Sequence, residues 1–412
     1  MTSIAGASWL VAPETKRVMA ALEAARAGAS RFVGGCVRNT LMGHSVDDID
    51  IATQLTPDQV TLAAHAAKLA AAPTGIEHGT ITVIADHKPF EVTTLRRDVT
   101  TDGRRATVAF TEDWSEDAGR RDFRMNALYA GFDGAVHDPT GGGLDDAHAG
   151  RVIFIGDGET RLREDYLRIL RFFRFNAWYG KGELDAVGLA ACDALQAGLA
   201  SLSAERVWKE LKKLLAAPDP RVALAAMERI GVTGKAAPEA VRLARLMRLI
   251  DIENQLLLDH DALTRVAAML ADAEGARSLV RRMKASNEER ARLVSALGDA
   301  PRIVSFMSMR EVRRALYALG IATFQDRVRL AWAEDEDARK ASQWRALLAL
   351  AQSYVRPTLP LSGEDIMAAG VPEGPLIGAV RREVEAWWID ADFPDDRLSI
   401  VERLKAVAQG LA

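Results

Sequence analysis

Residues 32–53 read Phe-Val-Gly-Gly-Cys-Val-Arg-Asn-Thr-Leu-Met-Gly-His-Ser-Val-Asp-Asp-Ile-Asp-Ile-Ala-Thr. A short apolar run ends on Gly34 and Gly35, Arg38 follows, and Asp48 and Asp50 come near the close. A glycine has no side chain to hold a ligand away from the backbone. The N–H groups at Gly34 and Gly35 can therefore approach a triphosphate, and Arg38 adds fixed positive charge. Asp48 and Asp50 alternate with Ile49 and Ile51. In a strand, residues two apart share a face, so both carboxylates would point the same way. Like charges that close repel, and a divalent cation between them resolves the conflict. Taken alone, the same letters also fit a glycine turn and a solvated acidic loop.

Around this stretch the pattern alternates between short strands and helices. Pro13 to Gly28 reads as a helix and Ser30–Val33 as a buried strand. Further strands are expected at Ile49–Ala52, Thr80–Ala85, Pro89–Leu95 and Thr107–Phe110, with a helix at Thr56–Leu69. Tight connections between short strands imply a mixed α/β domain with a mainly antiparallel sheet, ending near Gly150. Glu91, in the Pro89–Leu95 segment, is placed to add a third acidic oxygen donor if its strand pairs alongside Asp50. It also reads as an ordinary exposed strand glutamate.

Two more constellations follow. Arg120-Arg121-Asp122-Phe123-Arg124-Met125-Asn126 sets polar groups around apolar Phe123 and Met125. Arg121 suits bidentate contacts to phosphate or sugar oxygens, and Asp122 can accept from a ribose hydroxyl. A helix start with surface ion pairs is the plainer reading. In Glu164-Asp165-Tyr166-Leu167-Arg168-Ile169-Leu170-Arg171-Phe172-Phe173-Arg174, arginines recur every third residue. On a helix, Asp165 and Arg168 would be neighbours, able to accept from and donate to a base edge. Arg171 and Arg174 would make phosphate contacts behind them. The plainer reading is an amphipathic helix with one ion pair.

Beyond residue 151 strand signals nearly vanish, and helices are expected at Thr160–Tyr179, Ala204–Ala217, Pro220–Ile230 and Pro238–Ile250. Pro357 and Pro360 mark a linker at Arg356–Gly363 into a final small helical unit. The resulting division is 1–150, 151–240, 241–355 and 356–412. The 412 residues carry 49% apolar and 27% charged side chains and a net charge of −4, as a globular protein without a global nucleic-acid footprint would. Only two cysteines occur, Cys36 and Cys192, without partners at zinc spacing. A zinc site is not expected, and a reducing, cytoplasmic setting is. Met1 to Pro13 lacks the pattern of a signal peptide. No run reaches the ~18 apolar residues of a membrane span.

In this order, the three motifs resemble the class II CCA-adding tRNA nucleotidyltransferase and bacterial poly(A) polymerase family. Its pattern is Gly-Gly-x-Val-Arg-Asp, Asp-x-Asp, Arg-Arg-Asp-Phe-Thr-x-Asn-Ala and Glu-Asp-x-x-Arg-x-x-Arg. Glu205-Arg206-Val207-Trp208-Lys209-Glu210 and Leu361-Ser362-Gly363-Glu364-Asp365-Ile366-Met367 add to the likeness. The resemblance implies an α+β fold, with a polymerase-β-like head followed by helical neck, body and tail. It implies Mg2+ on Asp48 and Asp50, with Glu91 near the metals. It places Gly35 and Arg38 on the nucleotide phosphates, Arg121 at ribose and phosphate, and Asp165 and Arg168 on the incoming base. Arg171 and Arg174 line the same site. Asn39 stands where the family has Asp, and Arg124 where it has Thr. Specificity in the family depends on head-loop geometry, here near Val99–Ala106.

The expected activity is template-independent addition of CMP and AMP from CTP and ATP to a tRNA 3′ end. Alternatives are poly(A) addition, CC-only or A-only addition, and a non-catalytic RNA-binding protein. The acidic run Glu334-Asp335-Glu336-Asp337 and the negative net charge lean against poly(A) addition. His260-Asp261 has no downstream histidine partner, so a phosphohydrolase activity of the His-Asp type is not expected. Oligomeric state is open.

Overall fold

The computed structural model describes residues 2–102 and 105–410, and their side chains except those of 98–108. The side chains of the expected specificity segment Val99–Ala106 lie outside the described residues. The chain forms two compact units, Met1–Pro238 and Glu239–Ala412.

The first unit is α+β. Its strands are β1 (Ser30–Val33), β2 (Asp50–Thr53), β3 (Ala70–Gly75), β4 (Thr80–Ala85), β5 (Lys88–Thr94), β6 (Arg96–Asp102), β7 (Arg105–Phe110), β8 (Tyr129–Ala130) and β9 (Val136–His137). Seven of them make one sheet in the order β3-β4-β5-β2-β1-β8-β9, while β6 and β7 form a separate ribbon. All neighbours in the large sheet are antiparallel except β2 and β5. Phe32, Ile51, Phe90 and Val92 bury their side chains beneath the central strands. Burial of such side chains contributes about 1.5–3 kcal/mol each and anchors the strand ends that carry the polar residues.

Strand β3 has the sequence Ala-Ala-Ala-Pro-Thr-Gly and no β-branched alternation, so the sequence did not single it out. Pairing with β4 makes it a strand, at the edge of the sheet, where Pro73 is tolerated. The expected helix Thr160–Tyr179 is two helices, Gly158–Glu164 and Leu167–Tyr179, separated at Asp165 and Tyr166. Tyr166 packs where a Cβ on Gly198 would come within 2.2 Å of its ring, so a glycine at 198 makes room for the break. A cluster of rings then fixes the second helix. Phe123 lies 5.0 Å from Phe154 and 5.1 Å from Phe175, and Phe154 stacks on Phe172 at 5.4 Å. This apolar joint brings the 120–126 segment against the Leu167–Tyr179 helix.

The second unit is all helical from Leu243–Leu256 to Arg397–Gly410. Glu253 and Arg265 form a fully buried ion pair at 2.7 Å. The C-terminal helices pack Ile366, Val380, Val384, Trp388, Ile400 and Leu404 together, with Tyr317 of the long Met309–Glu334 helix beside them. Each member of the acidic run is paired: Glu334 with Arg245, Asp335 with Lys340, Glu336 with Arg248 and Asp337 with Arg339. The run is therefore not a free negative patch. Asp261 caps the Ala262–Met269 helix by accepting from the Thr264 N–H, and it pairs with Arg292. Among the described residues, no helix is long and apolar enough to cross a membrane.

Candidate active site

A cleft of about 600 Å³ in the first unit gathers residues from all three motifs. On one wall are the carboxylates. β2 begins at Asp50, so Asp48 sits in the connection before the strand rather than in it. The alternation still holds, since Ile49 is buried and Asp48 exposed. The parallel pairing of β2 with β5 sets Glu91 directly beside Asp50. Burial, then the charges of Glu91 and Asp48, push the Asp50 carboxyl up to about 6, with Arg121 opposing them. Such crowding of like charge is what a hard divalent cation relieves. Oxygen donors alone suit Mg2+. Among the described residues, no three ligating groups form a ready-made cage, so a cation would have to draw these carboxylates together.

Gly34 adopts φ +71°, a conformation that disfavours a side chain. Its N–H is committed to the Leu128 carbonyl at 3.0 Å and is not free for a phosphate. Gly35 instead opens the Gly35–Met42 helix, where first-turn N–H groups lack intrahelical partners. Arg38, from the same helix, is 6% exposed. It donates to Asn39 Oδ1, Asn126 Oδ1 and the Tyr179 hydroxyl, and lies 4.0 Å over the Tyr179 ring. Asn39 thus fixes the Arg38 rotamer despite departing from the family's Asp. Its amide also donates to the Ser45 carbonyl at 2.7 Å, which an Asp could not do.

The second wall is cationic, and its charges are held by carboxylates. Asp117, 1% exposed, binds Arg120 and Arg121 and accepts from the Tyr129 hydroxyl at 2.7 Å. Burial alone would raise its pKa, but Arg121 and Arg120 outweigh burial and hold it at about 2. An Asp117→Asn variant should lose about 3–5 kcal/mol of unfolding free energy, since two guanidiniums lose their charge partner. A depressed carboxyl stabilises above its unfolded pKa, so the difference from wild type should shrink as pH falls from 3.8 toward 2. Urea titrations across that range check both statements.

Asp122 was expected to accept from a ribose. The structure commits it instead: Oδ2 accepts from Arg171 at 2.7 Å, and Oδ1 from the Asn126 amide and the Phe123 N–H, both at 2.9 Å. It organises Arg171 and Asn126. Arg121 keeps a buried Nε without a hydrogen-bond partner, an unmet donor beside the cleft. Arg124 does not line the cleft; it grips the fully buried Asp146 with two hydrogen bonds, at 2.6 and 2.9 Å.

Asp165 and Arg168 both line the cleft but are not ion-paired with each other on one helix. Asp165 ends the first of the two helices and pairs with Arg206 at 2.7 Å. Arg168, in the first turn of the second, pairs with Glu164 at 2.5 Å and donates to the Arg120 carbonyl. Arg171 is held by Asp122 and Arg174 by Glu210. Sequence reasoning did not place Asp47, Arg206 or Lys213 in the site, yet all three line it. Arg206 lay within a noted stretch; its role needed the fold of the Ala204–Leu215 helix back onto the Leu167–Tyr179 helix.

Residues 30–153 match the poly A polymerase head domain, and 183–242 match the probable RNA- and SrmB-binding site of polymerase A. The mitochondrial CCA tRNA nucleotidyltransferase 1 of Mus musculus is 32% identical over 388 residues, covering 90% of this chain and 86% of its own. The chain belongs to the CCA-adding tRNA nucleotidyltransferase family. The CCA-adding enzyme of Levilactobacillus brevis is 28% identical over 382 residues, covering 90% of this chain and 92% of its own. Among solved structures, the fold is similar to that of the Bacillus stearothermophilus CCA-adding enzyme in complex with CTP. The TM-score is 0.74, with 24% identity, over 96% of this chain and 98% of that one. The CCA-adding architecture, a mixed-sheet head followed by helices, is therefore the fold of this chain.

Proposed function

We propose that this protein adds CMP and AMP, from CTP and ATP, to the 3′ end of tRNA without a template. The observation that carries the reading is one cleft lined by Asp48, Asp50, Asp165 and Arg168 together. One wall suits the reacting phosphate and the other a base edge. The RNA 3′-hydroxyl attacks the α-phosphate, and pyrophosphate leaves. Mg2+ held by Asp48 and Asp50, with Glu91 close by, would supply acidity to that hydroxyl and neutralise charge on the phosphate. Arg38 and the Gly35 helix start face the triphosphate, and Arg121 lies toward sugar and phosphate. Arg171 and Arg174 complete the nucleotide wall.

We assign residues 1–150 to the head, 151–240 to the neck, 241–355 to the body and 356–412 to the tail. Since the acidic run is ion-paired, it does not argue against poly(A) addition. The likeness to CCA-adding relatives along most of the chain favours tRNA. The assembled cleft argues against a non-catalytic RNA binder. The two unpaired, buried thiols of Cys36 and Cys192 suit a reducing compartment such as the cytoplasm. The decisive experiment supplies the purified protein with tRNA lacking its CCA end and each NTP alone or in pairs, then sequences the product. CTP alone should add two residues, and CTP with ATP should complete CCA. Long A tracts on unrelated RNA would overturn the assignment.

A further inference from the structure

The cationic wall has an uneven charge balance. The guanidiniums of Arg120, Arg121, Arg168, Arg171, Arg174 and Arg206 each face a carboxylate partner. Among the described residues that line the cleft, Arg38 and Lys213 have no such partner. Arg38 is buried, and its donors are largely spent on Asn39, Asn126 and Tyr179. Lys213 differs. It stands on the exposed side of the Ala204–Leu215 helix, one turn beyond Glu210, and reaches the cleft. Glu210, its nearest acidic neighbour, is taken by Arg174 at 2.6 Å. An ammonium offers three donors and no acceptor, so Lys213 brings unspent hydrogen-bonding capacity to the site.

We propose that Lys213 is a ligand of the β- and γ-phosphates of the bound nucleoside triphosphate, and of the pyrophosphate that leaves. The assignment rests on the nucleotidyltransferase reading of the cleft. Its physical logic is local charge. Burial, then Arg174, lower the pKa of the Lys213 amine; Glu210 opposes them in part, and Lys209 and Arg171 add to the lowering. A polyanion reverses that environment: it supplies an ion-pair partner to Lys213 without breaking any existing ion pair. Every other cation of the wall except Arg38 is already ion-paired with a carboxylate. An excess of positive charge next to a paired wall therefore marks where the tail of the triphosphate settles. The backbone carbonyl of Lys213 accepts from the Trp178 indole at 2.7 Å, a contact that survives any change of the side chain.

Calorimetric titration of the full chain with CTP, CMP and pyrophosphate, in the presence of Mg2+, tests the assignment. In Lys213→Met, CTP and pyrophosphate should bind ~10- to 100-fold more weakly, the usual span for a hydrogen bond to a charged group. CMP, which lacks the β- and γ-phosphates, should bind as in wild type. Lys213→Arg should recover most of the loss. Equal CTP affinity in wild type and Lys213→Met would overturn the proposal and leave the nucleotidyltransferase reading standing. An equal loss of CTP and CMP affinity would also overturn it, by showing a distorted cleft. Failure of the wild-type protein to bind CTP would overturn the reading of the cleft itself, and this assignment with it.

Discussion

Asp50→Asn is expected to abolish nucleotide addition, lowering kcat by at least ~1,000-fold, while the protein stays folded. A metal supplies several kcal/mol of charge stabilisation at the reacting phosphate, and each 1.36 kcal/mol lost is tenfold in rate. Asn keeps the shape of Asp50 but not its charge. Without cation, the variant should also be the more stable protein at neutral pH. The sign follows from the raised pKa. A carboxyl pushed up to about 6 from 3.8 binds its proton more readily folded than unfolded. Its ionised form therefore costs stability above pH 6, and that cost fades as pH falls toward 4. Asn removes it. Melting temperatures at pH 8 with and without Mg2+ are the check: Mg2+ should raise the wild-type value and leave Asp50→Asn unchanged. Asp48→Ala should lose activity in the same way, with little gain in melting temperature because Asp48 is exposed. Normal turnover in either variant with Mg2+ present would remove the metal site from these residues.

Asp165→Ala is expected to relax discrimination against UTP by roughly 10- to 100-fold, because each good base-edge contact contributes about 1–3 kcal/mol of selectivity. Catalysis should persist, since the carboxylates that would hold the metal are Asp48 and Asp50, not Asp165. Arg168→Ala should act in the same direction. Arg206 and Glu164 hold these two side chains, so Arg206→Ala should reproduce part of the Asp165 effect without removing the base-facing carboxylate. Steady-state incorporation of all four NTPs into one tRNA substrate is the measurement. Wild-type selectivity in both Asp165→Ala and Arg168→Ala would move base choice elsewhere on the neck.

Much of the head was legible because its signals are local. The alternation of Asp48, Ile49, Asp50 and Ile51 fixed which side faces the cleft, even though the strand starts only at Asp50. Glu91 comes beside Asp50 because β5 pairs parallel to β2, as the strand pattern of Pro89–Leu95 allows. What stayed hidden depended on distant partners. Nothing near Asp122 in sequence announces Arg171, and nothing near Asp165 announces Arg206. The helical spacing invited one continuous helix over Thr160–Tyr179, whereas the chain breaks at Asp165 and Tyr166, where the Tyr166 ring packs against the distant Gly198. The N–H of Gly34 looked available until Leu128 claimed it. Charge runs misled in the same way, as the pairing of residues 334–337 shows.

The pre-paired guanidiniums also bear on turnover. A wall of bare arginines would grip any polyanion, including spent pyrophosphate and a finished RNA end, and each cycle would stall on release. Here an arriving phosphate would share each guanidinium with a resident carboxylate, which would keep its hold as the product departs. Such a surface suits an enzyme that lets go of one nucleotide's remains before admitting the next.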